Sequence, residues 1–358
     1  MKAFRKPPED FLEKLKLMAP GTELYQGIEN VLRAKTGALI VIGYNEEVAR
    51  IVTGGFAINA DFSASALYEL AKMDGAVVLS ADARRILFAN AELSPNPIIE
   101  TTETGIRHRS AERTARQTGL AVIAVSQRRN IITLFRGDRR YIFQDENKLL
   151  AKANQALQTL EKYRRSLDEA LRGLNTLELE GRVTLGDVCL VIKLMEIIYR
   201  VADEIEVYTI QLGNEGRLVR MQLEELSASL DQEYRNVVLD YENLQERSAL
   251  PIFSRRMEAL SDEEVLSHEA IAGILGHRRD EPQQELPIAP RGYRQLAHIP
   301  RLPQSVIANI IRHHSDFQEM LEADSGALEK VDGVGAVRAR AIYEGLRRKR
   351  ESVRGRAL

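Results

Sequence analysis

The chain of 358 residues contains one cysteine and no tryptophan. A single cysteine excludes an intrachain disulfide, and Cys189 stands in an apolar run at residues 188–191, where we expect buried packing rather than reactivity. No apolar run approaches the roughly 18 residues that a membrane-spanning helix needs, and the N-terminus lacks the apolar core of a signal peptide. We therefore expect a cytoplasmic protein with no membrane partner.

Two common nucleotide-binding signatures are also missing. The sequence has no G-x-x-x-x-G-K-[ST] motif and no G-x-G-x-x-G motif after a strand, which argues against the P-loop and kinase classes. A net charge of −2 argues against a chain that binds polyanions over its whole surface. The charge is uneven, however, because residues 291–358 carry 13 Lys and Arg against eight Asp and Glu. A basic end is a weak indication of nucleic-acid binding.

Proline is absent between Pro97 and Pro251, which permits long helices. Between about residues 148 and 247, leucines and other apolar residues step by three and four along two stripes, and each stripe predicts one helix. The first stripe runs from Leu150 to Leu174 and the second from Leu223 to Leu244. Thr184 to Asp187 predicts a helix start between them. The middle third is thus interpreted as a helical spine, without a cluster of catalytic groups.

The first 145 residues have a different pattern, in which short β-rich runs alternate with helical runs. Helices are predicted over 63–73 and 108–118, the second ended by Gly119. This alternation indicates a mixed α/β domain. Three prolines within residues 282–290 predict a stiff, extended linker before a small helical module. The predicted strands are residues 38–43, 55–58, 76–80, 86–89, 121–126, 131–135 and 141–143.

The most informative stretch is Thr104 to Arg113, which places Arg107, His108 and Arg109 at the start of a predicted helix after a glycine. Backbone N–H groups at a helix start are unpaired and suit an anion. Two guanidinium groups beside them suit a polyphosphate better than a lone carboxylate. The alternative is a solvated helix start with surface charges. Because adjacent cations oppose the helix dipole, we favour a nucleotide triphosphate site.

A second element is Asp74-Gly75-Ala76, where a predicted helix gives way to a strand. The glycine lets the backbone turn and lets a ligand approach closely. Taken alone, the motif is more simply a helix stop. Together with the cationic cluster, Asp74 could hold a divalent metal and help to remove a proton from an attacking hydroxyl, while the arginines neutralise the phosphates.

The C-terminal module contains a helix-hairpin-helix signature over residues 328–342. The hairpin Gly333-Val334-Gly335 exposes N–H groups at a helix start, which can hold a DNA phosphate without reading a base. The alternative is a helix pair that contacts protein. Residues 299–303 predict a partner hairpin that lacks the glycine pair, and His313 and His314 are interpreted as surface residues rather than metal ligands. The cationic residues predicted to bind DNA beside the hairpin are Lys330, Arg338 and Arg340.

Asp74-Gly75-Ala76 and Arg107-His108-Arg109 resemble the D-G-A and R-H-R motifs of the diadenylate cyclase (DAC) domain family, and Gly54-Gly55-Phe56 supports the likeness. The order of cyclase domain, helical spine and helix-hairpin-helix end extends the resemblance over essentially the whole chain. It implies a multidomain α+β protein. The implied domains are a mixed α/β DAC domain at 1–147, an all-α spine at 148–285 and a helix-hairpin-helix DNA-binding domain at 286–358.

The resemblance implies that two ATP molecules condense into cyclic di-AMP with release of two pyrophosphates, each 3′-hydroxyl attacking the α-phosphate of the other ATP. Because the product has two-fold symmetry, two identical domains should face each other. Asp74 would bind Mg²⁺ or Mn²⁺, and the catalytic set would be Asp74 with Arg107, His108 and Arg109. The nucleotide-binding positions would be Gly75, Ala76, Leu93, Ile106, Arg107, His108, Arg109, Ser110 and, as a weaker expectation, Arg129 or Arg128.

The family also implies branched DNA, such as Holliday junctions, as a partner, and an octamer with face-to-face DAC domains. The family commonly has threonine on both sides of R-H-R, where this chain has Ile106, which loses the hydroxyl, and Ser110, which keeps it. Gln127 stands where a charged residue is frequent. Ile106 and Gln127 leave an alternative open, a DNA-binding scaffold whose DAC domain senses ATP without catalysis.

Overall fold

The computed structural model describes residues 9–128, 131–243, 249–277, 284–314 and 316–354. The chain divides into two compact units. The first, here called the sheet unit, contains residues 6–157 and 204–222, and the second, the helical unit, contains residues 158–203 and 223–358. The predicted combination of a mixed α/β N-terminal region with a long helical region is confirmed. The proposed domain boundaries at 147 and 285 stay predictions.

The sheet unit is built on one eight-stranded mixed sheet in the order β2-β5-β4-β1-β6-β7-β8, with β3 paired to β5. Only β1 and β4 pair in parallel among the described strands, and their neighbours run antiparallel. The central strands β1 and β4 are buried along their whole length, which explains their unbroken apolar runs. The strands are β1 (Ala38–Ile42), β2 (Val52–Thr53), β3 (Phe56–Asp61), β4 (Ala76–Leu79), β5 (Arg85–Leu93), β6 (Ala121–Ser126), β7 (Ile131–Arg136) and β8 (Arg139–Ile142).

Five helices precede or interrupt these strands in the described part of the sheet unit. The last of them packs its alanines against the sheet, where Ala111 and Ala115 join Val41, Val122 and Phe135 in one buried cluster. It stops at Gly119, whose φ of +69° confirms the predicted glycine stop. The helices are α1 (Glu9–Leu17), α2 (Glu23–Arg33), α3 (Glu46–Ile51), α4 (Ala64–Leu70) and α5 (Ile106–Thr118).

The middle of the chain is helical, as the apolar stripes predict. Thr184 and Asp187 bond to each other reciprocally at the start of α7, with Thr184 Oγ1 2.6 Å from Asp187 Oδ2, which confirms the predicted start. The second stripe is not one helix, because Ser229 adopts φ +64° and separates α8 from α9. Leu244 lies outside the described residues. The helices are α6 (Glu146–Glu180), α7 (Leu185–Leu212), a 3₁₀ turn (Gly213–Gly216), α8 (Arg217–Ser227), α9 (Leu230–Tyr241), α10 (Ala249–Ala259), α11 (Asp262–Val265) and α12 (His268–Ile274).

The C-terminal module packs five short and medium helices around a buried apolar cluster that includes Leu296, Ile310, Phe317, Leu328 and Ile342. His313 is exposed, but the expectation that His314 lies on the surface was wrong. Its side chain is only 6% exposed, because the chain turns there from α14 towards α15, and Glu319 lies 3.8 Å from Nδ1. The helices are α13 (Tyr293–Ala297), α14 (Gln304–His313), α15 (Phe317–Glu322), α16 (Ser325–Glu329) and α17 (Ala336–Arg354).

A buried polar network fastens this module to the spine within the helical unit. Glu178 of α6 is fully buried and forms an ion pair with Arg294 of α13, at 2.5 Å between Oε1 and Nη1. Gln295 donates to the same carboxylate, and Lys349 of α17 donates to the Gln295 side chain at 2.9 Å. Asp240 of α9 accepts the three backbone N–H groups that begin α13. The network therefore links α6, α9, α13 and α17.

Two further expectations concern single segments. Cys189 is buried, and desolvation by burial raises the pKa of its thiol to about 12, in keeping with packing rather than reactivity. The proline-rich segment is not a free linker where it is described, because Leu286 and Gln284 accept N–H bonds from Leu185 and Gly186. In the part of the chain that is described, no helix is both long and apolar enough to cross a bilayer.

Candidate nucleotide site and hairpin module

The sheet topology brings the two sequence motifs of the sheet unit to one edge. Asp74 lies just before β4, and the parallel pairing of β4 with β1 places the starts of both strands at that edge. Since β6 runs antiparallel to β1, its end at Ser126 lies there too. Positions more than 30 residues apart in sequence thus converge on one end of the sheet.

A cavity of about 700 Å³ opens at this edge, a volume within the usual range for small-molecule sites. The start of α5 forms one wall. Its N-cap, Gly105, makes no side-chain capping bond, so the first turn presents backbone N–H groups without a side-chain cap. The lining residues are Asp74, Glu103, Thr104, Gly105, Ile106, Arg107, His108, Val125, Ser126, Gln127 and Arg128.

Asp74 and Arg107 meet across this cavity. Arg107 Nη2 lies 3.4 Å from Asp74 Oδ1, although the two residues are 33 positions apart. The Asp74 carboxylate is fully exposed, whereas the Arg107 side chain is 35% exposed. An exposed pair at this distance contributes little to stability, and both side chains are accessible to a ligand.

The glycine of the Asp74-Gly75-Ala76 motif has a packing role. A Cβ at Gly75 would lie 2.3 Å from the carbonyl carbon of Asn90 on β5, and the Gly75 N–H donates to the Asn90 side chain at 3.1 Å. The close approach of β5 therefore requires glycine here and fixes the backbone that carries Asp74. Ala76 is buried, with 1% of its surface exposed.

His108 lines the cavity from a largely buried position. Its ring packs edge-on against Phe135, with centroids 6.2 Å apart, and Nε2 lies 3.4 Å from the hydroxyl of buried Thr133. These contacts from β7 fix the ring. The His108 ring therefore forms part of the cavity wall, and its nitrogens are the polar atoms of that part.

Other predicted residues lie elsewhere. Among the described residues, Arg109, Ser110 and Leu93 do not line this cavity. Arg109 is exposed on the first turn of α5, and Leu93 ends β5, where it pairs with Val52. Arg129 lies outside the described residues, whereas its neighbour Arg128 lines the cavity.

Sequence reasoning missed Glu103 as a lining residue. Its side chain is 6% exposed and forms an ion pair with Arg140 Nε of β8 at 2.7 Å. A lone glutamate in a loop gives no signal of such a pairing, since its partner lies 37 positions away. Ser126 and Gln127 could have been found, because residues that follow a buried strand commonly reach a site.

The residues present fit a divalent cation only in part. Within the described ranges, no three His, Cys, Asp or Glu side chains form a ready-made metal site. The exposed Asp74 carboxylate is an oxygen ligand of the kind that Mg²⁺ prefers, and that ion commonly takes one or two carboxylates plus substrate phosphates. The arrangement therefore suits a metal that arrives with a nucleotide.

The predicted hairpin of the helical unit joins α16 to α17. Gly333 adopts φ +82°, Val334 is buried in the module core, and a Cβ at Gly335 would meet no atom within 4 Å. Asn309 of α14 donates to the Asp332 carbonyl at 2.9 Å and Arg338 donates to the Gly333 carbonyl at 2.7 Å. The hairpin is thus anchored by one apolar side chain and braced by two polar ones, while Lys330 and Arg340 are exposed.

The expected partner hairpin has the same layout. Helices α13 and α14 begin at residues 293 and 304, and α16 and α17 begin at 325 and 336, a constant offset of 32 residues. Arg301 takes the position of Gly333 with φ +61°, and buried Ile299 takes the position of buried Val331. The hairpin between α13 and α14 therefore adopts the left-handed conformation at Arg301, without a glycine.

Comparison with known proteins covers nearly the whole chain. The profile described as "DisA bacterial checkpoint controller nucleotide-binding" matches residues 25–140, and "DisA bacterial checkpoint controller linker region" matches residues 143–284. Two similar relatives are each named "DNA integrity scanning protein DisA". That of Clostridioides difficile (strain 630) is 49% identical over 94% of each chain. That of Clostridium kluyveri is 48% identical over 95% of each chain.

Proposed function

This chain belongs to the DisA family, and from that premise we propose that it is a diadenylate cyclase, which condenses two ATP molecules into cyclic di-AMP and releases two pyrophosphates. The observation that carries the proposal is the meeting of Asp74 and Arg107 in one cavity at the start of α5. A carboxylate for a metal and a guanidinium for phosphates are the two charges that phosphoryl-type transfer to a hydroxyl requires.

Each group has a defined role in this proposal. Asp74 would hold Mg²⁺ or Mn²⁺, and the ion would lower the cost of deprotonating the 3′-hydroxyl. Arg107, with the first turn of α5, neutralises the triphosphate and the pyrophosphate that leaves. Gly75 and Ala76 would lie close to the nucleotide, and the Leu93 backbone would contact the adenine, although none of these three described residues lines the cavity. Exposed Arg109 and half-buried Ser110 would contact phosphates from outside the cavity described here, and Arg128 or Arg129 would contact the nucleotide of a facing subunit.

One sheet unit supplies half of a reaction centre. Its cavity offers one carboxylate and one phosphate cradle, but the product contains two equivalent phosphodiester bonds. The simplest arrangement is two copies whose cavities face each other across a two-fold axis, so that each 3′-hydroxyl meets the α-phosphate of the other ATP. We propose that these pairs are assembled into an octamer.

Incubation of the purified protein with ATP and Mg²⁺ or Mn²⁺, followed by chromatography and mass analysis of the nucleotides, tests the activity. Cyclic di-AMP and pyrophosphate in a 1:2 ratio are expected. Linear dinucleotide alone, or unchanged ATP with every divalent metal, would contradict the proposal. The latter result, with ATP bound, favours the alternative of an ATP-sensing scaffold, which Ile106 motivates because its 79% exposed apolar side chain stands where the family has a hydroxyl.

We further propose that the C-terminal module is a helix-hairpin-helix domain that binds branched DNA and couples the state of DNA to cyclic di-AMP synthesis. The support is the open Gly335 backbone at the start of α17 beside exposed Arg340 and Lys330. Contacts of this kind neutralise phosphates without reading bases. Binding should therefore weaken steeply with salt and depend little on sequence, as gel shifts of junction and linear DNA at two salt concentrations would test.

A further inference from the structure

We propose that Gly37 is a positioning residue for the proposed cyclase reaction: by lacking a side chain, it leaves the slot in which the Arg107 guanidinium lies. A Cβ built at Gly37 would stand 2.4 Å from Arg107 Nη1 and 3.0 Å from its Cζ. Carbon and nitrogen cannot approach so closely. The inference rests on the proposed function, because Arg107 matters here as a ligand of ATP.

Glycine at this position is not required by the backbone. Gly37 does not belong to the glycines with positive φ, so its conformation is open to any residue. The other close neighbour of the missing Cβ is the Val125 carbonyl at 3.1 Å, a tight contact that is still 0.7 Å longer than the 2.4 Å contact with Arg107 Nη1. The side chain of Arg107 is thus the group that a residue larger than glycine would displace.

The space beside Gly37 lies next to the proposed nucleotide site. Gly37 immediately precedes β1, at the edge of the sheet where Asp74 and the start of α5 meet. The guanidinium therefore has Nη1 beside Gly37 and Nη2 at 3.4 Å from Asp74 Oδ1. One nitrogen of the guanidinium occupies the space that a side chain at Gly37 would fill, and the other lies at the cavity, next to the carboxylate proposed to carry the metal.

The open space at Gly37 makes this position of the guanidinium available before ATP binds. A free arginine side chain has several rotamers, and fixing them on ligand binding weakens affinity. A side chain at position 37 would exclude the rotamer that places Nη1 in this space, so part of the preorganisation of the phosphate donors would be lost. Gly37 touches no substrate in this account and acts only through Arg107.

The decisive experiment is a double-mutant cycle on nucleotide binding. ATP affinity is measured by calorimetry, with Ca²⁺ replacing Mg²⁺ if turnover interferes, for the wild type, Gly37→Ala, Arg107→Ala and the double variant. We expect Gly37→Ala to weaken binding about 10-fold, the size of one hydrogen bond to a charged group. In the Arg107→Ala background the same change should have no effect, since no guanidinium remains to be displaced.

Gly173→Ala is the matched control, because a Cβ there would meet no atom within 4 Å. It should leave ATP affinity unchanged, and thermal melting should show that Gly37→Ala is folded. If Gly37→Ala binds ATP with wild-type affinity, or weakens ATP binding equally in the wild-type and Arg107→Ala backgrounds, the proposed role of Gly37 is wrong. If the protein binds ATP but forms no cyclic di-AMP, the proposed cyclase function is wrong. The double-mutant cycle still tests the effect of Gly37 on ATP affinity in that case.

Discussion

The two proposed sites differ in the groups that form them, which are side chains in one and backbone in the other. In the sheet unit, the cavity is formed by charged side chains from segments far apart in sequence, with Asp74 and Arg107 33 positions apart. In the helical unit, the hairpin is a local backbone structure whose central side chain, Val334, is buried. The comparison teaches that a site of convergent side chains is sensitive to single functional groups. A site of backbone N–H groups is sensitive instead to the size and charge of the side chains beside those groups.

The largest effect that would sharpen this contrast is expected at Asp74. Asp74→Asn keeps the size of the side chain but removes the charge that would bind the metal. We expect cyclic di-AMP formation to fall by at least about 100-fold, with no change in melting temperature because the side chain is fully exposed. Junction DNA should bind as before.

The matched control is Asp61→Asn, an exposed carboxylate at the end of β3 in the same unit. Initial rates of product formation at saturating Mn²⁺ would be compared for the two variants. If Asp74→Asn keeps more than a tenth of the wild-type rate, the assignment of the metal to Asp74 is wrong. Equal losses in both variants would point to a general field effect.

The second prediction reverses the test by placing a charge in front of the hairpin. Gly335→Asp has room for its side chain, and the carboxylate would repel the phosphate that the N–H groups are proposed to hold. We expect DNA affinity to fall about 10-fold or more, since the substitution adds repulsion and removes a favourable contact. Cyclase activity without DNA should be unchanged.

The same substitution should slightly stabilise the fold. Gly335 immediately precedes α17, and aspartate is a better residue than glycine at that position by a few tenths of a kcal/mol. Loss of DNA binding with an unchanged or raised melting temperature therefore separates repulsion from misfolding. Gly335→Ser is the neutral control, and an equally large loss of binding there would show that bulk, not charge, is responsible.

The contrast between the two sites also determines what the sequence could reveal. The turn between α16 and α17 lies where the sequence predicts the hairpin, because the signature is contained within 15 consecutive positions. That the hairpin binds DNA stays a prediction. The motifs at Asp74 and Arg107 were predicted to share a ligand, and the parallel pairing of β1 with β4 is the physical reason that they meet. The pairing of Glu103 with Arg140 and the slot at Gly37 could not be predicted, since each depends on a long-range approach that leaves no local pattern.

Short-range exceptions explain the remaining differences. The break between α8 and α9 falls at Ser229, which adopts a left-handed conformation that apolar periodicity does not report. Arg301 does the same in the hairpin between α13 and α14, which lacks the glycine that usually adopts this conformation. Tertiary packing overrides local preference at these positions.

A smaller effect is expected at Ile106, the first residue of α5 and an exposed part of the cavity wall. Ile106→Thr would restore the hydroxyl that the family commonly has and remove an apolar side chain from beside the phosphates. We expect the KM for ATP to fall about three-fold, the size of a modest hydrogen bond. Ile106→Val is the control that keeps the branched shape without the hydroxyl, and it should leave KM unchanged. An equal fall in KM for both variants would assign the effect to size.

The smallest effect concerns Lys349, which lies in the helical unit and contrasts with the exposed charges of the cavity. Burial lowers the pKa of Lys349 to about 8 from its usual 10.5. The folded state therefore releases the proton before the unfolded state does, and stability should rise as pH increases from about 8 towards 10.5. Relative to Lys349→Met, which cannot titrate, the wild type should gain a few degrees of melting temperature over that window and show a constant difference below it. Lys330→Met, at an exposed position, is the control. Parallel melting curves for wild type and Lys349→Met from pH 7 to 10 would mean that the ammonium is solvated rather than held against Gln295.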